Sequence, residues 1–465
     1  MIENKKVSPA RRHFLKVTTG IVAAGVTASL LPAQASAKGF KLDQHRHRHD
    51  KKRWKKVQKE FVLDKKTTYM NIGTTGSMPK SVLDNYQKNN LSVAKNPWDM
   101  QNKFGSWPYV TEMTESIAPG FGANANEIIL SRNTTDGMCS ILNGLHFEDG
   151  DVILTTHHEH VAAHSPLHVL AARYGVEVIY LDIPVDSGDN SITEQQFVDL
   201  FALAANQYAG RVRLITFSHI TYKTGTRLPA KRICQEVAIP NQIPTLIDGA
   251  HSIGMLDLDF HDIDCDFYAG SGHKWQCGPG ATGILFVRDG ATRLDQYWSD
   301  RENPLWFINS SLGHADYLGT QLQLQYIGND NYPAKQALTD ACEMWDEIGR
   351  DTIEARVLAL SKYCKQQLKT AFPSAAIYSP DIDQLASAIT SFNPFDDVND
   401  LVMLTEFRDR LREQTGFIIR TTDFKIQQSD AVDTHALRIS THLFHDHDDV
   451  NDLINAMQHV FYGMS

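Results

Sequence analysis

This 465-residue sequence has few cysteines, fewer basic than acidic residues, and few long apolar stretches. Its six Cys include no C-x-x-C pair, which excludes a disulfide scaffold and a zinc ribbon as the organising feature. Lys and Arg number 45 against 55 Asp and Glu, and a net charge of −10 repels nucleic acid, so no nucleic-acid partner is expected. The 42% of hydrophobic and 22% of charged residues are typical of a globular chain. The length predicts about two to four domains.

The first 37 residues have the pattern of an export signal. Arg11 and Arg12 precede an apolar run, residues 17–31, which is shorter than the roughly 20 residues of a membrane-spanning helix. Residues 33–37 then offer two Ala-x-Ala frames for cleavage. The arginine pair resembles that of twin-arginine signals, which hand folded proteins to the twin-arginine export machinery. The resemblance implies a signal peptide over residues 1–37, a periplasmic or exported protein and no stable membrane span; an uncleaved membrane anchor is the alternative.

Residues 38–66 form a basic stretch that contains His45, His47 and His49. Such a tract can bind a metal. A solvated tether is the better interpretation, because nothing apolar anchors the stretch.

From Thr67 onward, apolar runs of strand length alternate with stretches of helical length. The runs are continuous in Val, Ile and Leu, which is typical of a parallel sheet covered on both faces. The predicted strands are 128–130, 152–154, 176–181, 214–217, 245–247, 267–268 and 284–287, and the predicted helices are 135–145, 162–174, 194–205 and 230–238. The pattern predicts an α/β fold, with a large domain over residues 67–331.

After residue 332 the pattern changes to that of a smaller α+β domain, residues 332–465. Its predicted elements are helices 335–372, 401–414 and 448–461, an apolar segment at 388–392, and strands 417–420 and 436–440. The first segment of the large domain is expected to pack with this small domain.

Polar side chains follow four of the predicted strands, where ligands bind in parallel sheets. Asp248 follows one strand and Lys274 another. Thr134 and Thr135 open a helix after a third strand, and His158 follows a fourth. Pyridoxal phosphate needs a lysine for its imine, a cradle for its phosphate and a carboxylate beside its ring nitrogen. The four sites together therefore predict a pyridoxal-phosphate site.

Each of these residues also has a structural interpretation when taken alone. Asp248 fits a turn, Thr134 and Thr135 fit a helix cap, and Lys274 fits a surface lysine. Their joint occurrence after four strands of one sheet favours the cofactor site.

Two stretches, 246–251 and 271–283, resemble a known family. The first reads Leu-Ile-Asp-Gly-Ala-His; the second begins Ser-Gly-His-Lys-Trp and ends Gly-Pro-Gly-Ala-Thr-Gly. They resemble the class V aminotransferase family of fold-type I pyridoxal-phosphate enzymes, and within it the isopenicillin N epimerase and cysteine desulfurase branch. The likeness covers nearly everything from Tyr69 to the C-terminus. It implies a large domain with a mostly parallel seven-stranded sheet and a smaller α+β C-terminal domain.

The resemblance also implies roles for individual residues. Lys274 would be the Schiff-base lysine, Asp248 the partner of the pyridine nitrogen, and His158 the histidine that stacks on the ring. His251 corresponds to a contact with the ring hydroxyl. The implied phosphate contacts are Thr134, Thr135, Ser271, His273 and, lent to the neighbouring subunit of a homodimer, Thr320 of the Gly319-Thr320 pair. Arg438 corresponds to the arginine that binds the substrate carboxylate, a contact that suits a planar guanidinium.

Two positions depart from the family pattern. Cysteine desulfurases carry a nucleophilic Cys shortly before the carboxylate-binding arginine, where this chain reads Arg-Thr-Thr-Asp-Phe at 420–424; its last Cys is Cys364. Persulfide chemistry is therefore disfavoured. Tyr222 stands where relatives often have Asn or Ser near the ring, which leaves that cofactor contact open.

Three further patterns are better explained without a function. Residues 278–283 satisfy the dinucleotide pattern G-x-G-x-x-G but lead into a predicted strand instead of a helix. His160 and His164 have the i, i+4 spacing of metal ligands, but the zincin pattern is absent. The histidines at 442, 445 and 447 are expected at a solvated helix start. No metal site is predicted.

The expected activity is removal of the Cα proton of an amino acid, with Lys274 as the base and Asp248 supporting the carbanion through the cofactor. Return of the proton to the opposite face gives epimerisation, its transfer to the cofactor gives transamination, and loss of a β- or γ-substituent gives elimination. Family likeness favours an epimerase- or lyase-type reaction over an aminotransferase. Two alternatives are a catalytically silent exported binding protein and a metal-dependent hydrolase built on the histidine clusters, which the ligand spacing disfavours.

Overall fold

A seven-stranded sheet lies at the centre of the protein, in a computed structural model that describes residues 41–42, 51–315 and 317–464. The strands of the chain are β1 Thr68–Tyr69, β2 Ile128–Ser131, β3 Val152–Thr156, β4 Glu177–Leu181, β5 Val212–Ser218, β6 Thr245–Asp248, β7 Phe267–Ser271, β8 Gly283–Val287, β9 Ala376–Ile377, β10 Ile389–Asn393, β11 Phe417–Ile418, β12 Arg420–Phe424 and β13 Thr434–Ser440. The predicted export signal, residues 1–37, lies outside the described residues.

Helices flank the sheet and fill the C-terminal part of the chain. They are α1 Lys51–Gln58, α2 Lys80–Lys95, α3 Trp107–Ile117, α4 Thr134–Leu142, α5 Val161–Tyr174, α6 Glu194–Gln207, α7 Ala230–Arg232, α8 Phe260–Ile263, α9 Thr292–Tyr297, α10 Thr320–Gln325, α11 Tyr332–Ile348, α12 Arg350–Ala371, α13 Leu401–Thr415 and α14 His447–Tyr462. A π-helical segment, Ile233–Ala238, continues α7.

The central sheet has the strand order β2-β8-β7-β6-β5-β3-β4. All neighbouring pairs are parallel except the two that β8 forms with β2 and β7. The mostly parallel seven-stranded sheet predicted from the sequence is therefore confirmed.

Both faces of the sheet are covered by apolar side chains, which explains the continuous runs. In β3, Val152 and Leu154 belong to one cluster of buried side chains and Ile153 to the cluster on the other side. In β5, Leu214 and Ile215 divide in the same way. Because successive side chains of a strand point to opposite faces, a strand that is buried on both faces favours apolar residues at consecutive positions.

The C-terminal part is built on a four-stranded antiparallel sheet of order β12-β13-β10-β9. The N-terminal strand β1 pairs in parallel with β11, and Met70 lies in the same buried cluster as Phe417. The start of the predicted large domain thus packs with the last part of the chain, as expected.

The buried clusters do not divide at residue 332. Leu338 and Trp345 of α11 lie in the core of the central sheet, as does Val357 of α12. Leu360 and Leu368, further along α12, lie in the core of the C-terminal sheet. The change from one core to the other therefore falls inside α12, later than the sequence pattern placed it.

The long helix predicted over 335–372 is interrupted. Gly349 separates α11 from α12 with φ +91°, a conformation that favours glycine. The amide of Gly349 still donates to the carbonyl of Trp345 at 2.8 Å. Apolar periodicity continues across the break, which is why the sequence pattern did not show it.

The prediction of a solvated tether is wrong for its second half. Residues 51–58 form α1, whose Trp54 and Val57 are buried in the core of the central sheet. Phe61 is buried there too, and the amide of Leu42 donates to the Glu347 carboxylate at 2.9 Å. Two apolar residues one turn apart are enough to anchor a helix that is otherwise strongly basic.

The prediction of a solvated histidine cluster before the last helix is also wrong. His442 is fully buried and His445 is nearly so, each with its ring nitrogens in hydrogen bonds. Only His447 belongs to α14, which Asp446 caps. The cluster is a structural element of the interior.

None of the helices in the described residues combines the length and apolar character needed to cross a membrane.

Candidate active site

The carboxyl edge of the central sheet brings the predicted residues together. Ser271 at the end of β7 lies opposite Gly283, and Gly283 lies opposite Ser131 at the end of β2. Asp248, the last residue of β6, lies opposite Ala269 of β7. The loops that leave these ends therefore share one rim, as the sequence predicts.

Lys274 lies in the loop after β7. Its Nζ is 3.4 Å from Nε2 of His251. Desolvation lowers the pKa of Lys274 to about 8, although the nearby Asp248 carboxylate acts to raise it. About a tenth of the amine is therefore neutral at pH 7, far more than for an ordinary lysine, and a lysine must be neutral to attack a carbonyl or take up a proton.

Asp248 is buried at the end of β6. Its Oδ1 accepts a hydrogen bond from the amide of Ala250 at 2.8 Å. Burial raises the pKa of Asp248, whereas that hydrogen bond and the charge of Lys274 lower it. The carboxylate thus lies within electrostatic reach of Lys274.

The N-terminus of α4 carries the predicted phosphate contacts Thr134 and Thr135. Asn133 caps the helix, its side chain accepting from the Asp136 amide at 2.8 Å. The Thr134 hydroxyl is buried and has no hydrogen-bond partner, while Thr135 is exposed. A free hydroxyl at the positive end of a nine-residue helix suits an anion.

The loop after β7 adds Ser271 and His273 to this anion-binding corner. The Ser271 hydroxyl donates to the carbonyl of Ala250 at 3.1 Å. Nδ1 of His273 is buried without a partner, and burial, followed by the charge of Lys274, lowers the pKa of His273. The neutral imidazole can therefore serve an incoming group as donor or acceptor.

Arg438 comes from β13 of the C-terminal sheet. Its guanidinium donates to the carbonyl of Tyr222 at 3.0 Å, to Thr74 Oγ1 at 3.2 Å and to Asn71 Oδ1 at 3.4 Å. The residue is buried, its Nε has no partner, and all three acceptors are neutral. A buried guanidinium without a carboxylate fits an anionic ligand.

Arg420 lies directly across from Arg438 on the neighbouring strand β12. Burial, followed by the charge of Arg420, lowers the pKa of Arg438. Two guanidinium groups on adjacent strands make this side of the site strongly positive, which attracts a carboxylate. The sequence pattern did not single out Arg420.

The structure does not bring His158 to Lys274. His158 is fully buried, Nε2 lies 2.9 Å from the carbonyl of Lys425, and the ring packs edge-on to Phe424. Burial, followed by the charge of His157, lowers the pKa of His158 to about 3. These surroundings do not fit the ring-stacking role predicted for it.

His160, two residues later, lies in the site instead. It caps α5, and its ring packs edge-on to Tyr222 with a centroid distance of 4.9 Å. Burial and then the charge of Lys274, followed by those of Arg420 and Arg438, lower the pKa of His160 to about 4. His160 therefore fits the role assigned to His158. A run of four polar residues after β3 gave no signal to choose between the two histidines.

Glu159 is a second residue that the sequence did not single out. Its carboxylate is buried and accepts from Thr156 Oγ1 at 2.6 Å, Ser218 Oγ at 2.5 Å and the Ser218 amide at 3.0 Å. Burial raises the pKa of Glu159 to about 7, against these hydrogen bonds. Glu159 ties the ends of β3 and β5 together between His158 and His160.

The segment that follows β1 closes the site from the N-terminal side. The amide of Gly76 donates to the carbonyl of His273 at 2.7 Å. A Cβ on Gly76 would lie 2.0 Å from the carbonyl oxygen of Lys274, so only glycine permits this approach. In the sequence, the two glycines of Gly73-Thr-Thr-Gly76 were the feature that could have indicated this close approach.

Thr320 opens α10 and donates its hydroxyl to the carbonyl of Gly290 at 2.7 Å. Gly290 follows the end of β8, and β8 runs antiparallel to its neighbours. Thr320 therefore lies at the amino edge of the sheet, away from Lys274 of the same chain.

The residues present fit pyridoxal phosphate. Lys274 offers a partly deprotonated amine, and Asp248 ends the neighbouring strand. The unpartnered hydroxyl of Thr134 and the unpartnered Nδ1 of His273 suit its phosphate. The unpartnered Nε of Arg438 remains for a substrate carboxylate.

Comparison with known proteins decides the family. A family model described as aminotransferase class-V matches residues 68–453. The chain belongs to the class V aminotransferase family. It is a pyridoxal-phosphate-dependent enzyme of the fold-type I class, as its sheet and its family predict.

Two relatives of this class V enzyme are isopenicillin N epimerases. That of Streptomyces clavuligerus is 26% identical over 347 residues, covering 73% of this chain and 84% of the relative. That of Amycolatopsis lactamdurans is 26% identical over 417 residues, covering 87% and 98%.

Solved structures share the fold of this class V enzyme. The apo cysteine desulfurase of Thermococcus onnurineus NA1 superposes with a TM-score of 0.69 at 19% identity, covering 88% of this chain and 98% of that structure. The cystine C-S lyase C-DES in complex with cysteine persulfide superposes with a TM-score of 0.68 at 21% identity, covering 85% and 98%.

Proposed function

We propose that the protein acts on an amino acid through an epimerase- or lyase-type reaction, similar to that of the isopenicillin N epimerases. One observation carries the proposal. The low-pKa amine of Lys274 and the unpartnered guanidinium nitrogen of Arg438 belong to one site, within electrostatic reach of each other. This pair can bind an amino acid by its carboxylate and accept a proton from its Cα.

Each residue has a separate task in this proposal. Arg438 holds the carboxylate, with Arg420 adding positive charge beside it. Lys274 Nζ, once free and neutral, takes the Cα proton. Asp248 would hold the pyridine nitrogen of the cofactor protonated, and Thr134, Thr135, Ser271 and His273 would hold its phosphate. Bound pyridoxal phosphate supplies an electron sink for the charge that develops at Cα.

Persulfide chemistry of the cysteine desulfurase type is disfavoured. Residues 420–424, where that chemistry needs a loop cysteine, form strand β12 and contain none. Cys364, the last cysteine, is fully buried in the C-terminal core. The identity to isopenicillin N epimerases over most of the chain supports the epimerase-type reaction. An aminotransferase reaction and a catalytically silent binding protein are the alternatives.

The enzyme is proposed to be a homodimer. Thr320 lies at the sheet edge opposite Lys274 of its own chain, so a contact with a cofactor phosphate requires a second chain. Trp306, Ile308 and Tyr317, in the segment that leads to Thr320, are large apolar residues exposed on the single chain. A second copy of the chain would cover these residues, so their exposure supports a homodimer.

The protein is also proposed to be exported through the twin-arginine machinery to the periplasm or beyond. Arg11, Arg12 and the apolar run after them support this proposal. Replacement of both arginines by lysine is expected to leave the protein in the cytoplasmic fraction, and an unchanged distribution would contradict it.

The function is tested by incubating the cofactor-loaded protein with a panel of L- and D-amino acids in D₂O. Epimerisation gives the opposite enantiomer with deuterium at Cα, elimination gives ammonia and a keto acid, and transamination gives a keto acid with the aminated cofactor. We expect deuterium incorporation together with inversion or ammonia release for at least one amino acid.

The Lys274→Ala variant provides the control. Before amino acid is added, it is expected to lack the visible band of the lysine–cofactor imine, and with amino acid it is expected to lose all exchange at Cα, because it has no amine for the cofactor or the proton. Lys362→Ala removes an exposed lysine that pairs with Asp383 and is expected to behave like the wild type. Visible absorbance without any Cα exchange over the whole panel would identify a silent binding protein.

A further inference from the structure

His251 is held between two nitrogen atoms, one on each side of its ring. Its Nδ1 accepts a hydrogen bond from the indole Nε1 of Trp275 at 3.2 Å. Its Nε2 faces Nζ of Lys274 at 3.4 Å. An indole N–H can only donate, so Nδ1 of His251 must carry no proton. The single ring proton of the neutral imidazole therefore lies on Nε2, on the side of Lys274.

We propose that Trp275 is a positioning residue that fixes His251 as the Nε2–H tautomer, so that His251 donates a hydrogen bond toward Lys274 and the cofactor atoms next to it. This inference rests on the proposed role of Lys274 as the cofactor-binding lysine. Trp275 itself touches neither substrate nor cofactor in this arrangement.

The indole that fixes the tautomer is itself firmly held. Trp275 is fully buried, and its carbonyl lies 2.8 Å from Nε2 of His442. Nδ1 of His442 accepts from the amide of Leu443 at 2.8 Å, so the proton of His442 lies on Nε2 and points to Trp275. The buried histidine predicted to be solvated thus anchors the residue that orients His251.

The surroundings of His251 also oppose its protonation. A protonated ring would direct an Nδ1–H against the indole N–H, leaving two donors face to face. The titratable groups whose charges act on His251 are Lys274, Arg438, His160 and Arg420, and all of them are basic. Burial and then these charges hold the pKa of His251 well below its usual value.

The consequence is a fixed donor where the cofactor needs one. A neutral imidazole without Trp275 could present either a donor or an acceptor to Lys274, since its two tautomers are close in energy. With Trp275 in place, only the donor faces the site. A donor at this position stabilises a negatively charged oxygen next to the lysine, such as the ring oxygen of pyridoxal phosphate.

The test is ¹⁵N NMR of the histidine rings in the cofactor-loaded protein, with the His251 signals identified by their loss in His251→Asn. In the wild type we expect the proton on Nε2 and no titration of His251 between about pH 5.5 and 8.5, where an ordinary histidine titrates. In Trp275→Phe we expect ¹⁵N signals of both neutral tautomers, still without titration in this range, because the burial and the basic groups that lower the pKa of His251 remain.

Trp345→Phe is the matched control. Trp345 is also fully buried and packs on His442, but its indole donates to the carbonyl of Gly254 at 2.9 Å, away from His251. This variant loses an indole of the same size and is expected to keep the wild-type His251 signals. A proton on Nδ1 in the wild type, or unchanged signals in Trp275→Phe, would overturn the inference.

Kinetics separate the inference from the proposed function. With the amino acid that the wild type converts, Trp275→Phe is expected to lower kcat about five- to tenfold, the effect of one hydrogen bond, and to leave KM unchanged because Arg438 is untouched. Absence of any reaction with wild-type protein would contradict the proposed function and leave the NMR result valid. A normal kcat in Trp275→Phe would contradict the inference alone.

Discussion

At the scale of single residues, the site depends on how its surroundings tune ordinary side chains. Desolvation moves the Lys274 amine toward its neutral form, and the Asp248 carboxylate partly opposes this. Arg438, in contrast, stays charged, because a guanidinium does not lose its proton at neutral pH. One residue is thus prepared to accept protons and the other to hold an anion.

The lowered pKa of Lys274 predicts how the rate of cofactor capture depends on pH. Only the neutral amine attacks the aldehyde, so the rate for cofactor-free protein is expected to rise about tenfold per pH unit and to level off above about pH 8. Stopped-flow absorbance after mixing with pyridoxal phosphate measures this. In Asp248→Asn the midpoint is expected at lower pH, because the charge that raises the pKa of Lys274 is gone. A midpoint near that of an ordinary lysine would contradict the prediction.

Much of the site could be predicted at this scale because its residues follow strand ends. Asp248 ends a strand, His251 and Lys274 lie in the loops that follow strands, and Thr134 opens a helix, so spacing alone places them on one rim. The choice between His158 and His160 could not be made from the sequence, for a physical reason. The chain turns through Glu159, and only the buried hydrogen bonds of that carboxylate decide which imidazole faces the site.

At the scale of elements, apolar periodicity predicted the strands almost residue by residue but missed a helix break. A pattern of buried side chains reports which face is covered, not whether the backbone is continuous. Gly349 lets α11 end and α12 begin without a loop, so that one helix serves the central core and the next reaches the C-terminal core. The site depends on this junction, because Arg438 comes from the C-terminal sheet.

Gly349→Ala is expected to destabilise the protein by about 1–2 kcal/mol. The cost comes from the backbone, at φ +91°, since the nearest atoms to an added Cβ are flexible side-chain oxygens at 3.1 and 3.4 Å. Urea unfolding measures it. Gly280→Ala is the control, because that glycine lacks a positive φ and has no atom within 4 Å of an added Cβ. Equal unfolding midpoints for the two variants would show that the junction is unstrained.

At the scale of the whole molecule, one sheet edge holds the lysine and the opposite edge holds Thr320. The sequence predicted this separation only through the family resemblance, because residues 319 and 320 follow no strand end and fit no local motif. The burial of α1 was missed for a similar reason. The contacts that bury Trp54 come from distant parts of the chain, and the strongly basic sequence of α1 gives no indication of them.

A homodimer with exchanged phosphate contacts predicts complementation between two inactive variants. Thr320→Asp is expected to fold, since an acidic residue suits the first turn of α10, and to repel the phosphate of the partner site. Lys274→Ala removes the lysine. Co-expression of the two chains in equal amounts is expected to restore about a quarter of the cofactor absorbance per site, because half of randomly paired dimers hold one intact site. Absorbance no higher than in the separate variants would contradict the exchange.

The contacts of Arg438 with Asn71 and Thr74 join positions that lie 367 and 364 residues apart. During synthesis, Lys274 leaves the ribosome while the strand that carries Arg438 has not yet been made. A nascent chain can therefore complete the lysine side of the pocket before the arginine that binds the substrate has been made. Turnover begins only when the final strand docks against the first segment, so a chain truncated near its end would be left with a reactive amine and no selectivity.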